Sequence, residues 1–294
     1  VSRKKRYLKY EIVINLMTEN FAQIGNVRLC YEILGKDDGY PVLLIHGFGV
    51  NKEVWMAQIG DLINHFKVIR FDNRGAGKSG RPSGVHIEIF ADDAKNLMDY
   101  LGIEKAHVMG WSLGGMIAQN FALKYPERVN KLVLICTVTG YPTDEGPEIY
   151  KKMRLHELEL GPEKAFWETA RANFHAQYRR EMEKNPKKKF FDLWSAEDII
   201  QMLAKNPATP QDIINQAEAL KTHHTMDRLH QIKNPTLLIA ASHDRLTPQV
   251  NMEQMHEKLA NSTLIVIEKA GHFAPMTRAP EVNKNIIEFL KNKN

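Results

Sequence analysis

Continuous apolar runs alternate with stretches of helical period along most of this chain, and the alternation predicts its fold. Tyr40 to His46 (YPVLLIH) is a continuous apolar run, and Phe66 to Asp72, Val129 to Cys136, Pro235 to Ala241 and Ser262 to Glu268 read as further short strands. Such runs mark strands covered on both faces. Thr18 to Gln23 and Val27 to Leu34 read as two earlier strands about a turn at Gly25-Asn26. Apolar residues recur at helical spacing through Trp55, Ile59 and Leu62, from His86 to Leu101, from Leu113 to Pro126, and through Ile286 to Leu290. Strands alternating with helices predict the α/β class, a doubly wound, mostly parallel sheet. From about Val138 to Ile232 the strand pattern stops. Charged, aromatic-bearing helical segments take over, punctuated by Pro147, Pro162, Pro186, Pro207 and Pro210. Residues 18–137 and 233–294 therefore form the expected core, and residues 138–232 a helical insertion above the sheet.

Charge changes the picture more than composition does. Of the formal +5, residues 1–16 carry +4, from Arg3, Lys4, Lys5, Arg6 and Lys9 against Glu11. The remainder is nearly neutral, which argues against a nucleic-acid partner. Residues 1–17 read as a basic extension. Lys9 and Glu11 interrupt the apolar core a signal peptide needs, and Met17 is the expected natural start. No apolar run approaches the ~20 residues of a membrane span. Cys30 and Cys136 are too few for a disulfide framework, so a reduced, cytoplasmic setting is expected.

Candidate chemistry begins at Gly110-Trp111-Ser112-Leu113-Gly114, a G-x-S-x-G between a short strand (Ala106 to Met109) and the helix from Leu113. A strand that reverses into a helix this quickly needs glycines where the backbones approach, and holds its serine strained and exposed. A serine hydroxyl needs a base and a group that orients the base. In an open α/β sheet both belong beyond the carboxyl ends of strands. Asp244, after the strand ending at Ala241, and His272, in Ala270-Gly271-His272-Phe273, meet that rule. The order Ser112, Asp244, His272 is that of nucleophile-elbow hydrolases. The oxyanion donors expected are the backbone N–H groups of Leu113 and Phe48. His46 reads as a loop brace, as do Asp72 and Arg74. His223, His224 and His230 read as solvated, and His243 as pointing away from Asp244. Metal ligands show no grouped spacing. Gly77-Lys78-Ser79 is not a phosphate loop, because Asp72 stands where the first glycine is required.

With these residues in place the chain resembles the α/β-hydrolase superfamily over nearly its whole length from Thr18. The matching stretches are HGFG at 46–49, RFDNRGAGKS at 70–79, GWSLGG at 110–115, SHDRLTP at 242–248 and AGHF at 270–273. The resemblance implies a serine hydrolase with Ser112, Asp244 and His272 as its triad, residues 138–232 as a cap, and no metal or organic cofactor. Ser112 at the elbow speaks against haloalkane dehalogenases and epoxide hydrolases, and Trp111 against the C–C bond hydrolases, which often carry Asn there. A carboxylesterase for small-molecule esters is the expectation. Enol-lactonases of the 3-oxoadipate type, perhydrolases and the pimeloyl carrier-protein methyl ester esterase stay open. So does a non-catalytic ligand receptor on the same fold.

Substrate choice belongs to the cap. Trp111, Phe166, Trp167 and Trp194 are the candidate substrate contacts, with Phe174 and Met202 beside them, most cap aromatics being expected in the cap's own core. Arg179, Arg180, Lys184, Lys187, Lys188 and Lys189 face only Glu181 and Glu183 within eleven residues. A solvated helix is the favoured reading, and a docking patch for an acidic acyl carrier protein the alternative.

Overall fold

The computed structural model describes residues 18–82 and 86–292. The basic extension expected at residues 1–17 lies outside them. Eight strands form one sheet in the order β1-β2-β4-β3-β5-β6-β7-β8. They are β1 (Asn20–Ile24), β2 (Val27–Gly35), β3 (Pro41–Ile45), β4 (Lys67–Phe71), β5 (Ala106–Trp111), β6 (Val129–Ile135), β7 (Thr236–Ala241) and β8 (Ser262–Ile267). β1 and β2 pair antiparallel, as do β2 and β4, and every other pairing is parallel.

Side chains of the central strands alternate between two buried layers. Leu43, Ile69, Val108, Leu132 and Leu238 face one layer, shared with α2 (Ile87–Tyr100), α3 (Leu113–Lys124) and α9 (Gln249–Lys258). Val42, Leu44, Met109, Val133 and Leu237 face the other, shared with α1 (Met56–Leu62), α10 (Ala274–Thr277) and α11 (Ala279–Lys291). The apolar runs are continuous because helices cover both faces. The expected helix through Trp55 enters through a 3₁₀ turn, Lys52–Trp55, capped by the Asn51 side chain accepting from the Glu53 N–H.

Between β6 and β7 the chain forms α4 (Glu145–Leu160), α5 (Pro162–Asn173), α6 (Ala176–Lys184), α7 (Ala196–Ala204) and α8 (Pro210–Lys221). Only two isolated bridges, Gly140 with His224 and Phe190 with Trp194, add strand character among the described residues there. Ser195 and Thr209 start α7 and α8 with reciprocal capping boxes to Asp198 and Asp212. Phe166, Phe174, Trp194, Ile199 and Met202 join the α1–α11 layer, so the helical block shares a core with the sheet.

The strand order reverses direction at β3 and β5. Sites in such sheets form outside the carboxyl ends at this switch point. Here those ends carry His46-Gly47-Phe48-Gly49 and Trp111-Ser112. No helix among the described residues is long and apolar enough to cross a membrane.

Candidate active site

Ser112 sits between β5 and α3 at φ +58° and ψ −121°, a strained conformation for a residue with a side chain. Glycines make the turn possible. A Cβ on Gly110 would lie 2.1 Å from the Gly114 carbonyl oxygen, and one on Gly114 would lie 2.0 Å from that of Ile45. The strained backbone is held from both sides: the Ser112 N–H donates to Ile135 O at 2.9 Å, and the Thr137 hydroxyl donates to Ser112 O at 2.8 Å. Ser112 caps α3 with its hydroxyl unused by the cap.

His272 Nδ1 and Asp244 Oδ2 are 2.8 Å apart, the imidazole N–H donating to the carboxylate. Both side chains are buried. Asp244 also accepts from the Leu246 and Thr247 N–H groups at 2.8 and 2.9 Å, and from the Thr247 hydroxyl at 2.8 Å. Burial pushes the Asp244 carboxyl up, but the His272 ring and the Thr247 donors outweigh it and hold it below its ordinary value. Cys136, at φ +43° after β6, adds its thiol to the same carboxylate. Its thiol is pushed up by burial and then by the Asp244 charge, so it stays protonated.

Ser112 and His272 line one cavity of about 90 Å³, together with Phe48 and Leu113. Leu113 is the first residue of α3, where an N–H has no partner within the helix. Among the described residues no acceptor is bonded to the Phe48 or Leu113 amide. Trp111 and Phe166 also border the cavity. Trp111 is almost wholly covered, and its Nε1 donates to His272 O at 3.2 Å. The structure puts the other two candidate tryptophans elsewhere. Trp194 is fully buried, stacks on Phe190 at 4.7 Å and donates Nε1 to Met276 O at 2.9 Å. Trp167 packs edge-on against Phe166 at 4.9 Å, outside the cavity lining. Trp194 thus sits in the core that the helical block shares with the sheet, and Trp167 packs within the helical block. Phe174 reaches the cavity, and Met202 borders a second one of about 650 Å³.

His46 braces its loop as expected: Nε2 accepts from the Asn73 N–H at 2.9 Å and Nδ1–H donates to Gly47 O at 2.9 Å. Burial pulls its pKa down, so it is the neutral ring this geometry requires. Asp72 accepts the Lys52 and Lys78 N–H groups at 2.8 and 3.0 Å, and Arg74 forms a two-bond pair with Asp93. His243 is exposed and turned toward Ser242 and His175. His223 departs from its reading as solvated. It is fully buried, with Nε2–H donating to Val138 O at 3.0 Å and Nδ1 accepting from Asn120 Nδ2 at 3.0 Å. Burial holds it near pKa 4, neutral at physiological pH. The structure also groups metal-type donors that spacing did not suggest. Cys136, Asp244 and His272 converge, as do Glu19, Glu32 and Glu53, the latter around the Lys52 ammonium at 3.2–3.7 Å.

Sequence reasoning missed Thr247, Cys136, and the cap residues Arg154, Glu157 and Gln216. Thr247 had a local signal, an Asp three residues before a Thr after a strand end. The cap residues had none. Gln216 accepts from the Gly49 N–H at 2.9 Å and donates to Gly75 O at 3.1 Å, and Arg154 donates to Gly49 O, contacts that only the folded cap creates.

The family model for the alpha/beta hydrolase fold matches residues 40–279. A protein of Azorhizobium caulinodans, provisionally named carbamate hydrolase RutD, is 32% identical over 92% of this chain and 97% of its own. A protein of Synechocystis sp., provisionally named a non-heme chloroperoxidase, is 30% identical over 91% and 96%. The solved structure of a thermophilic esterase from Thermogutta terrifontis superposes with a TM-score of 0.79 at 30% identity, covering 93% of this chain and 98% of that one.

Proposed function

The chain belongs to the alpha/beta hydrolase fold family, and from that premise we propose that it is a serine hydrolase of small carboxylic esters working through an acyl-enzyme on Ser112. The observation that carries the reading is the convergence of a strained serine, an Asp-held histidine and two unbonded amides on one small cavity.

In the first half-reaction His272 Nε2 takes the Ser112 Oγ proton as Oγ bonds to the ester carbonyl carbon. The oxyanion so formed receives the Phe48 and Leu113 N–H groups. His272 then returns the proton to the leaving alkoxide as the C–O bond breaks. In the second half-reaction water loses a proton to His272 and attacks the acyl carbon, and the proton returns to Ser112 as the acid departs. Asp244 holds the ring orientation and balances the imidazolium charge in both halves.

The first relative named above favours a second reading within this chemistry, since a carbamate presents the same carbonyl to the same serine. A fluorophosphonate probe tests the common core of both readings. Label mapped to Ser112, lost in Ser112→Ala together with ester turnover, is the expected result, and label on Ser79 or Ser242 would remove the assignment. A matched panel of short-chain esters and carbamates then separates the two.

A further inference from the structure

Arg154 and Glu157 lie one turn apart on α4 and border both the cavity holding Ser112 and the larger one beside it. Both are largely covered, their side chains 15% and 9% exposed. A charged pair in so dry a place is tolerated only when its polar atoms are met. Arg154 is well met: Nη1 donates to Glu157 Oε2 and Nη2 donates to the Gly49 carbonyl. Glu157 is met on one side only. Its Oε1 is buried, and among the described residues no donor reaches it. Natural proteins rarely leave a buried carboxylate oxygen so, and each instance calls for an explanation.

The pair is also tied to the catalytic machinery. Gly49 closes the turn that carries the Phe48 N–H and stands at φ +65°. A Cβ there would lie 2.5 Å from Arg154 Nε, so the guanidinium fills the space that glycine leaves. A ligand group drawn to Glu157 is thereby read by residues that hold the oxyanion turn. Its chemistry follows from what surrounds the oxygen. A carboxylate oxygen only accepts, so an alkyl group would leave it unpaired and a second carboxylate would be repelled. Arg154 already supplies the balancing cation, which disfavours an ammonium and leaves a neutral donor as the fitting partner.

We propose that Arg154 and Glu157 form the substrate-recognition site of the catalytic cavity, where Glu157 Oε1 accepts from a neutral N–H or O–H group of a small acyl substrate. The proposal rests on the hydrolytic reading and narrows its substrates to acyl compounds that carry such a donor.

Binding to the Ser112→Ala protein tests it without requiring turnover. Methyl succinamate is compared with methyl levulinate, which has CH₃ in place of NH₂, and methyl 4-hydroxybutyrate with methyl pentanoate, which has CH₃ in place of OH. A hydrogen bond to a charged group predicts that one donor-bearing ester or both bind roughly tenfold tighter than the matched partner. The pair that discriminates tells N–H from O–H. Adding Glu157→Gln should bring the ratio to within about twofold, because the amide oxygen stays with Arg154 and an NH₂ turns to the cavity. Equal affinities in both pairs, or a preference that survives Glu157→Gln, overturn the proposal. Absence of wild-type turnover and of Ser112 labelling would instead remove the hydrolytic reading while leaving these ratios to decide the recognition site.

Discussion

The Trp111 indole N–H and the His272 carbonyl oxygen meet at 3.2 Å across 161 residues of chain. The residue before Ser112 thus holds the loop that carries His272, and the Trp111 ring also packs edge-on against Phe273 at 5.1 Å. The Ser112 turn and the His272 loop are one mechanical unit. Trp111→Phe keeps most of the ring and removes the bond, a loss of about 1 kcal/mol, or roughly fivefold in rate. The expected result on a small ester is that drop in kcat with KM nearly constant. A rise in KM at constant kcat would make Trp111 a substrate contact instead.

The sheet and the elbow were legible because their signals are local. A strand covered on both faces must be apolar at successive positions, as Pro41–Ile45 and residues 132–135 are. Gly110 and Gly114 are required by contacts within a few residues or with the neighbouring strand. The cap was not legible, because its roles are set by distant partners. His223 sits in a charged stretch and reads as solvated, yet Val138 and Asn120, 85 and 103 residues away in the chain, enclose it. Trp194 and Phe166 are both aromatic in the same insertion and both enter the shared core, and only folding puts Phe166 on the cavity wall as well.

In the proposed mechanism Asp244 links turnover to acid stability. Its folded pKa is held below the ordinary ~3.9 of an unfolded aspartate, so its stabilisation is present above that value. It is lost as pH falls through the folded pKa. The melting temperature of the wild type should therefore drop below about pH 4. Asp244→Asn should lack that component of the drop and lose turnover by orders of magnitude at pH 7. Thr247→Val, which removes one donor from the carboxylate, should shift the acid drop to higher pH. Melting curves across pH 2 to 6 and kinetics at pH 7 give all three results.

Gly49→Ala tests the grip of Arg154 on the turn that carries the Phe48 amide, the proposed oxyanion donor. The substitution adds a Cβ at a left-handed backbone position and 2.5 Å from Arg154 Nε. Strain of about 1–3 kcal/mol is expected, with the guanidinium displaced. kcat should fall more than stability predicts, because the Phe48 amide moves with its turn. Folded protein with unchanged kcat would show that the turn keeps its shape without Arg154.

Asp72 should behave as a structural carboxylate. It accepts two backbone N–H groups and lies 3.5 Å from the buried Lys52 ammonium. Asp72→Asn should lower the melting temperature, at a cost of about 1–3 kcal/mol, while correctly folded protein keeps its turnover. An inactive variant with an unchanged melting curve would move Asp72 into the chemistry.

Three of the six basic side chains in the cap's basic stretch have acidic partners, two of them on α7. Lys188 bonds Glu181 at 2.5 Å, Lys189 bonds Asp198 at 2.6 Å, and Lys187 lies 3.9 Å from Glu197. Such exposed pairs contribute little to stability, and they offset the charge of the three lysines that a docking patch would use. Replacing Lys187, Lys188 and Lys189 with Glu should cost little stability, the like charge beside Asp198 weakening the start of α7 slightly. Turnover of a small neutral ester should stay within about threefold, a minor free-energy change. A methyl ester carried on an acyl carrier protein should respond no more strongly. Docking by charge weakens as salt shortens the Debye length to ~8 Å at physiological strength. A steep, salt-sensitive loss confined to the carrier-bound ester would therefore assign this face to a protein partner and move the substrate from a free ester to a tethered one.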